Sequence, residues 1–162
     1  WIFKNNRWQK TIDGHVRRLT LSLVVSKDVE LRVNVANEIK RQLGEIGITL
    51  NIVEVTTERY YQYLEEKDYQ MILTGITNSI NPDLSYFYGD GNISNYNNPD
   101  VKSKLNSLDN YKEIQKIVND DVPYIGLYRN KGTLLLNANV GGNFIPNSFN
   151  LYYNFNEWFR QQ

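Results

Sequence analysis

The chain has no cysteine, one histidine, one methionine and four prolines among 162 residues. Without cysteine there are no disulfides and no thiolate metal ligands, and with a single imidazole a zinc site would need carboxylates for nearly all its ligands. That histidine, His15, stands beside an Asp13-Gly14 turn and reads as exposed rather than catalytic. No apolar run approaches the roughly 18 residues that a membrane span requires. Charge of one sign is also missing: 18 Lys and Arg balance 18 Asp and Glu, so no net field draws in nucleic acid or an anionic membrane. The basic doublet Arg17-Arg18 reads as a solvated strand edge. There is no Gly-x-Ser-x-Gly elbow and no phosphate-cradling loop with a lysine. Catalysis at neutral pH recruits imidazole, thiolate or paired carboxylates, so the inventory points away from an enzyme and implies no metal or resident cofactor.

What is present is alternation. Leu19, Leu21, Leu23 and Val25 face one way along LTLSLVV, a strand pattern. From Asp28 to Ile46, apolar residues recur at Leu31, Val35, Ile39, Leu43 and Ile46, one stripe of a helix. Gly47 is placed for the left-handed turn that ends it. Ile48 to Val55 alternates again, completing a β-α-β unit, normally parallel. Thr56 or Thr57 caps a further helix carrying Tyr60, Tyr61 and Leu64, and Tyr69 to Thr74 reads as a third strand. Residues 76–98 have no period, an unusual length of loop for a compact domain unless it has a function. Asn98-Pro99 starts a helix as cap and first residue, and Asp109 is placed to cap another with Ile114, Ile117 and Val118 inward. Tyr124 to Tyr128 and Gly132 to Asn137 read as late strands, followed by an aromatic, irregular tail. The class is α/β, a mixed and mostly parallel sheet flanked by helices, in one domain over 1–162. The start at Trp1, with no initiator Met or signal-like segment, suggests a piece of a longer parent.

Taken in order, LTLSLVV, RVNVANEIKRQLGEIGITLNIVEV, YYQYLEEKDYQMILTG, NYNNPDVKSKL and YKEIQKIVNDDVPYIGLY resemble the second lobe of the family 5 extracellular solute-binding proteins, the oligopeptide- and dipeptide-binding group. The resemblance implies a lobe of the type II periplasmic-binding-protein kind, which with the other lobe of its parent chain closes a cleft on the ligand. It further implies an extracytoplasmic setting (a cell-surface lipoprotein or the periplasm), short peptides as ligand, and delivery to ABC permease subunits. The isolated chain is expected to be monomeric. Related receptors take nickel chelates, haem or oligosaccharides, and the same fold also serves as the sensory part of transcription regulators. Those readings stand beside the peptide one. Gly75 and Pro82 match the family, but Ile76 stands where a Trp is usual, and Ser79 and Asn81 where carboxylates are common.

The resemblance assigns Asp90, within Tyr88-Gly89-Asp90-Gly91, to the terminal ammonium of a peptide. An ammonium entering a closed cleft loses water and needs a fixed carboxylate to offset that loss. Read from its residues alone, Gly-Asp-Gly is a turn in which Asp bonds its own backbone. Gly75, Ile76 and Thr77 form a second candidate, a strand end that offers backbone hydrogen bonds to an extended peptide, or else a plain strand terminus. Tyr86, Phe87 and Tyr88 either line side-chain pockets or pin the loop to the core. Asn92-Ile93-Ser94 matches a glycosylation acceptor, a pattern too common to carry weight. Asp120-Asp121 resembles a carboxylate pair but ends a helix, where the family has acids with a structural role.

Overall fold

The computed structural model describes residues 1–76, 83–129, 133–147 and 149–161. Three strands open the chain, β1 (Ile2–Lys4), β2 (Arg7–Ile12) and β3 (His15–Arg18), paired antiparallel in that order. Their turns, Asn5-Asn6 and Asp13-Gly14, hold both central residues at positive φ, the geometry whose twist matches that of flanking strands. Phe3 lies opposite Trp8 across the first pairing, with ring centroids 5.4 Å apart.

The body follows. β4 (Thr20–Ser26) leads into α1 (Glu30–Glu45), then β5 (Thr49–Val55), α2 (Thr57–Glu66) and β6 (Met71–Ile72). The sheet order is β5-β4-β6, all parallel, with Leu23 opposite Ile52 on one side and Met71 on the other. Successive residues of β4 point to opposite faces. Leu23 and Val25 meet Ala36 of α1 and Leu50 of β5 in the buried core, with Leu21, Ile39, Leu43 and Met71 packed around it. Each such side chain contributes about 1.5–3 kcal/mol when fully buried. Val24 and Ser26 are buried on the opposite face, where the Ser26 and Thr57 hydroxyls lie 3.2 Å apart.

The α1 stripe is shorter than its sequence pattern. Leu31 and Ile46 are exposed, whereas Ala36, a small residue outside the stripe, is fully buried in the core. Gly47 takes φ +79°, and a Cβ there would sit 2.7 Å from the Asn6 carbonyl oxygen and from the Phe3 ring. The opening sheet therefore docks on the α1–β5 junction, where the Trp8 indole also donates to the Ile46 carbonyl at 2.9 Å.

Beyond β6 come α3 (Ser85–Tyr88), α4 (Pro99–Lys104), a 3-10 turn at Leu108–Asn110 and α5 (Tyr111–Asp121). Asn98 caps α4, as its sequence position predicts. Asp109 is not a cap: it lies within the 3-10 turn, whose first amides are satisfied by Ser107 instead. The late strands expected at Tyr124–Tyr128 and over residues 133–137 do not form, and Gly132 lies outside the described residues. Strand-prone residues need a neighbouring edge to pair with, and among the described residues these segments pair with none. Among the described residues the tail contains the short antiparallel pair β7 (Val140–Gly141) and β8 (Phe159–Arg160) and a 3-10 turn at Phe155–Glu157.

Candidate functional site

The carboxyl ends of β4, β5 and β6 form one rim, the side on which parallel α/β sheets bind ligands. Asp28 ties it together, its carboxylate accepting from both the amide and the hydroxyl of Thr57 at 2.7 Å each. These bonds, the hydroxyl's first, hold the Asp28 carboxyl below its ordinary value. Thr56 caps α2 by accepting from the Arg59 amide. The Tyr60 hydroxyl donates to the Leu73 carbonyl at 3.0 Å, fixing the strand just before Gly75. The Arg32 guanidinium lies over the Tyr60 ring, 5.5 Å from its centroid.

Gly75 and Ile76 are exposed at this rim, and Thr77 lies outside the described residues. β6 is the outer strand of its sheet, so its far edge has no strand partner among the described residues. The glycine at position 75 is not required by packing. A Cβ there meets only the tip of Arg32, at 3.4 Å.

The segment from Asp83 to Asn98 is more ordered than its lack of period suggests. Asp83 accepts from the Ser85 amide at 2.8 Å and starts α3. The Gly89 amide returns to the Ser85 carbonyl at 2.7 Å, so close that a Cβ on Gly89 would lie 2.6 Å from that oxygen. Asn92 is buried at the centre of the loop. Its amide donates to the carbonyls of Gly89 and Tyr96 at 2.8 Å each, and its oxygen accepts from Ser94 and from the Tyr96 amide. A side chain engaged in this way is a poor glycosylation acceptor. The Tyr69 hydroxyl donates to the Ile93 carbonyl, and that of Tyr124 to the Phe87 carbonyl at 3.0 Å. Phe87, Tyr88 and Tyr124 contact one another edge-on or tilted, so Phe87 and Tyr88 anchor the loop while Tyr86 stays exposed. Burial raises the Tyr88 hydroxyl above its ordinary value.

Asp90 projects from this anchored loop with 93 % of its side chain exposed, paired with the ammonium of Lys102. The lysine's hydrogen bond holds the Asp90 carboxyl below its ordinary value. Asp121 accepts from the Tyr96 hydroxyl at 2.5 Å and from the Asn98 amide at 2.9 Å, joining the end of α5 to the loop. One member of the Asp120-Asp121 pair is thus a structural tie. Desolvation, followed by this bond to Asp121, pushes the Tyr96 hydroxyl up to about 12.

Two open hollows lie elsewhere. One of about 560 Å³ is at the amino ends of the strands, lined by Ser22, Asn51, Lys67 and Tyr69 among others. The other, about 540 Å³, lies in the tail around Leu136, Phe155 and Trp158. Gly75, Ile76, Tyr88, Gly89 and Asp90 line neither. The structure places Tyr88, Gly89 and Asp90 on one loop and Gly75 and Ile76 on the rim. The sequence alone does not single out Asn92, Lys102, Tyr69, Tyr124 and Arg32 for these roles.

The model of the bacterial extracellular solute-binding proteins, family 5 Middle, matches residues 2–98. The chain belongs to this family. The fold of family 5 is also seen in solved structures. An oligopeptide-binding protein, AppA, from Bacillus subtilis in complex with a nonapeptide superposes with a TM-score of 0.68 at 18 % identity over 95 % of this chain. An oligopeptide-binding protein from Thermus thermophilus complexed with a pentapeptide gives 0.59 at 15 % identity over 76 %. NikA from Brucella suis, in complex with Fe(III)-EDTA, gives 0.58 at 16 % identity over 76 %. The chain spans 35 %, 26 % and 28 % of these three proteins, respectively. No curated protein matches it in sequence. The α/β fold of the type II binding-protein lobe, expected from the sequence, is the fold observed. Its parallel strands form one three-stranded sheet, and the antiparallel strands form two separate sheets of three and two strands.

Proposed function

We propose that this family 5 chain is the second lobe of a two-lobed receptor that captures short peptides between its lobes and delivers them to an ABC permease. The observation that carries the reading is the outer edge of β6, open among the described residues and ending at exposed Gly75 and Ile76 on the carboxyl rim. An extended peptide added to such an edge is held by backbone bonds, so affinity depends little on its side chains. Thr77 continues that edge in sequence. Two of the superposed proteins were solved with peptides, which supports the same ligand class. The chain itself has no reaction to perform, and the receptor works outside the cytoplasmic membrane as a surface lipoprotein or in the periplasm.

Asp90 is the ammonium ligand in this proposal, with Tyr88 and Gly89 holding its loop in place. The carboxylate is ionised and already meets one ammonium, that of Lys102, so a peptide amino terminus would share or displace it. Calorimetry of the intact receptor tests the role. Asp90→Ala should weaken free-amine peptides by about tenfold, as expected for a charge-assisted bond, and leave N-acetylated peptides unchanged. Equal losses for both would remove the ammonium role. A second reading, a non-peptide solute, draws on the Fe(III)-EDTA complex of NikA and on Ile76 in place of the usual Trp. Native mass spectrometry of the purified receptor should reveal a co-purified peptide; a metal chelate or sugar in its place would favour the second reading.

A further inference from the structure

We infer that the outer face of the opening sheet is a docking surface for an anionic lipid membrane. The inference uses the proposed setting outside the cytoplasmic membrane and does not depend on which solute the receptor binds.

The chain is neutral as a whole, but its charge is unevenly placed. Residues 1–18 carry five basic residues and one acid, Asp13, leaving thirteen basic against seventeen acidic residues for the rest. Directly paired residues of an antiparallel sheet share a face. The register therefore puts Phe3 and Trp8 on one side and Ile2, Lys4, Arg7, Thr11, Val16 and Arg18 on the other. The first side rests on the α1–β5 junction through Phe3 and Trp8. The second is turned away from that junction and its strands carry no acid. Of its cations, only Arg7 has a side-chain partner among the described residues, the Thr49 hydroxyl at 3.2 Å.

The pairing itself points to an anion. Lys4 lies directly opposite Arg7, and on the other side Lys10 lies opposite Arg17. Like charges in facing positions destabilise a sheet, and among the described residues no carboxylate pairs with any of the four. A layer of negative charge laid against the sheet relieves that repulsion. Phosphate headgroups supply such a layer, and basic side chains close to it are attracted one by one. The aliphatic side chains decide between a membrane and a soluble polyanion. Ile2 and Val16, on the same face as Lys4 and Arg18, are 61 % and 60 % exposed. They match the apolar boundary just beneath the headgroups, whereas a soluble polyanion would leave them in water.

Co-sedimentation of the intact receptor, prepared without lipidation, with phosphatidylglycerol–phosphatidylcholine vesicles tests this. Wild type should bind the mixed vesicles, release them at high salt, and ignore pure phosphatidylcholine. Each cation removed should cost about fivefold in vesicle affinity, so Lys4→Ala combined with Arg18→Ala should cost about twenty-fold. Lys40→Ala with Lys112→Ala removes the same charge from exposed helix positions and should leave binding unchanged. Ile2→Ser with Val16→Ser should weaken vesicle binding while leaving the response to soluble polyphosphate as it was. Thermal melts check that each variant is folded, and the Lys4→Ala, Arg18→Ala variant should melt no lower than wild type. Equal losses for the two lysine-containing pairs would assign the effect to net charge and overturn the inference. So would polyphosphate binding as tight as vesicle binding with no effect of the serine variants. If wild type binds its solute but no anionic vesicle, this inference falls and the receptor reading stands.

Discussion

The body over residues 20–72 and the stretch after α5 are built from similar amounts of apolar residue but treat it differently. In the body, Leu50 is 1 % exposed and Val25 and Ala36 are fully buried. After α5, Ile125 is 74 % and Leu135 88 % exposed. Periodicity makes the difference. Alternation in β4 and β5 and a helical stripe in α1 each put their apolar groups on one face, and the faces match. Leu135 lies in a run, Leu134-Leu135-Leu136, that has no face of its own and no strand alongside. Apolar content alone does not make a core.

The contrast can be broken first by mutation. Leu50→Ala should cost about 2–5 kcal/mol, as large-to-small changes in packed cores do. Leu135→Ala should stay within about 0.5 kcal/mol. Urea unfolding followed by far-UV circular dichroism measures both, and similar losses at the two sites would erase the distinction. Asn92→Ala should cost about 1–3 kcal/mol, because it leaves the backbone groups around a buried hub without partners. Faster amide exchange confined to residues 83–98 is the matching signature. Gly47→Val is expected to cost about 1–2 kcal/mol for the left-handed backbone alone, plus the clash with Asn6 and Phe3, and Trp8 fluorescence should report the opening sheet coming loose.

A gentler break uses pH on the Tyr96–Asp121 tie. Asp121 is held below the ordinary 3.8 by its bonds from Tyr96 and Asn98, so the tie supports the loop above that value and is lost as pH falls beneath it. Tyr96 is raised from 10.0 to about 12, so its contribution is complete below pH 10 and fades as pH rises toward 12. Near-UV circular dichroism should therefore be flat between these limits and change beyond each. Tyr96→Phe should reduce the alkaline change without removing the acid one. The smallest effect is expected for Arg41→Ala. The Glu38–Arg41–Glu45 chain is solvent-exposed, and such pairs contribute little, so the melting temperature should not move measurably.

The same contrast explains what could be read in advance. The β-α-β body was legible because period and caps agree: Thr56, Asn98 and Gly47 all act as their positions predict. Ala36 escaped notice because an alanine does not register in a stripe of large apolar residues, although it is fully buried in the core. The opening sheet was also missed beyond its Asp13-Gly14 turn, since a single turn signal does not reveal pairing over so short a strand as Ile2–Lys4. The site was less legible than the fold. Long-range bonds such as Tyr69 to Ile93, or Lys102 to Asp90, follow from three-dimensional placement and leave no spacing in the chain. Arg32 falls in an ordinary helical pattern, which gives no sign that it lies over Tyr60.

The double bond from Thr57 to Asp28 has a mechanical consequence. It rivets the turn after β4 to the turn after β5, so the two loops above the sheet cannot swing independently. Force applied at either loop is shared through one stiff lip.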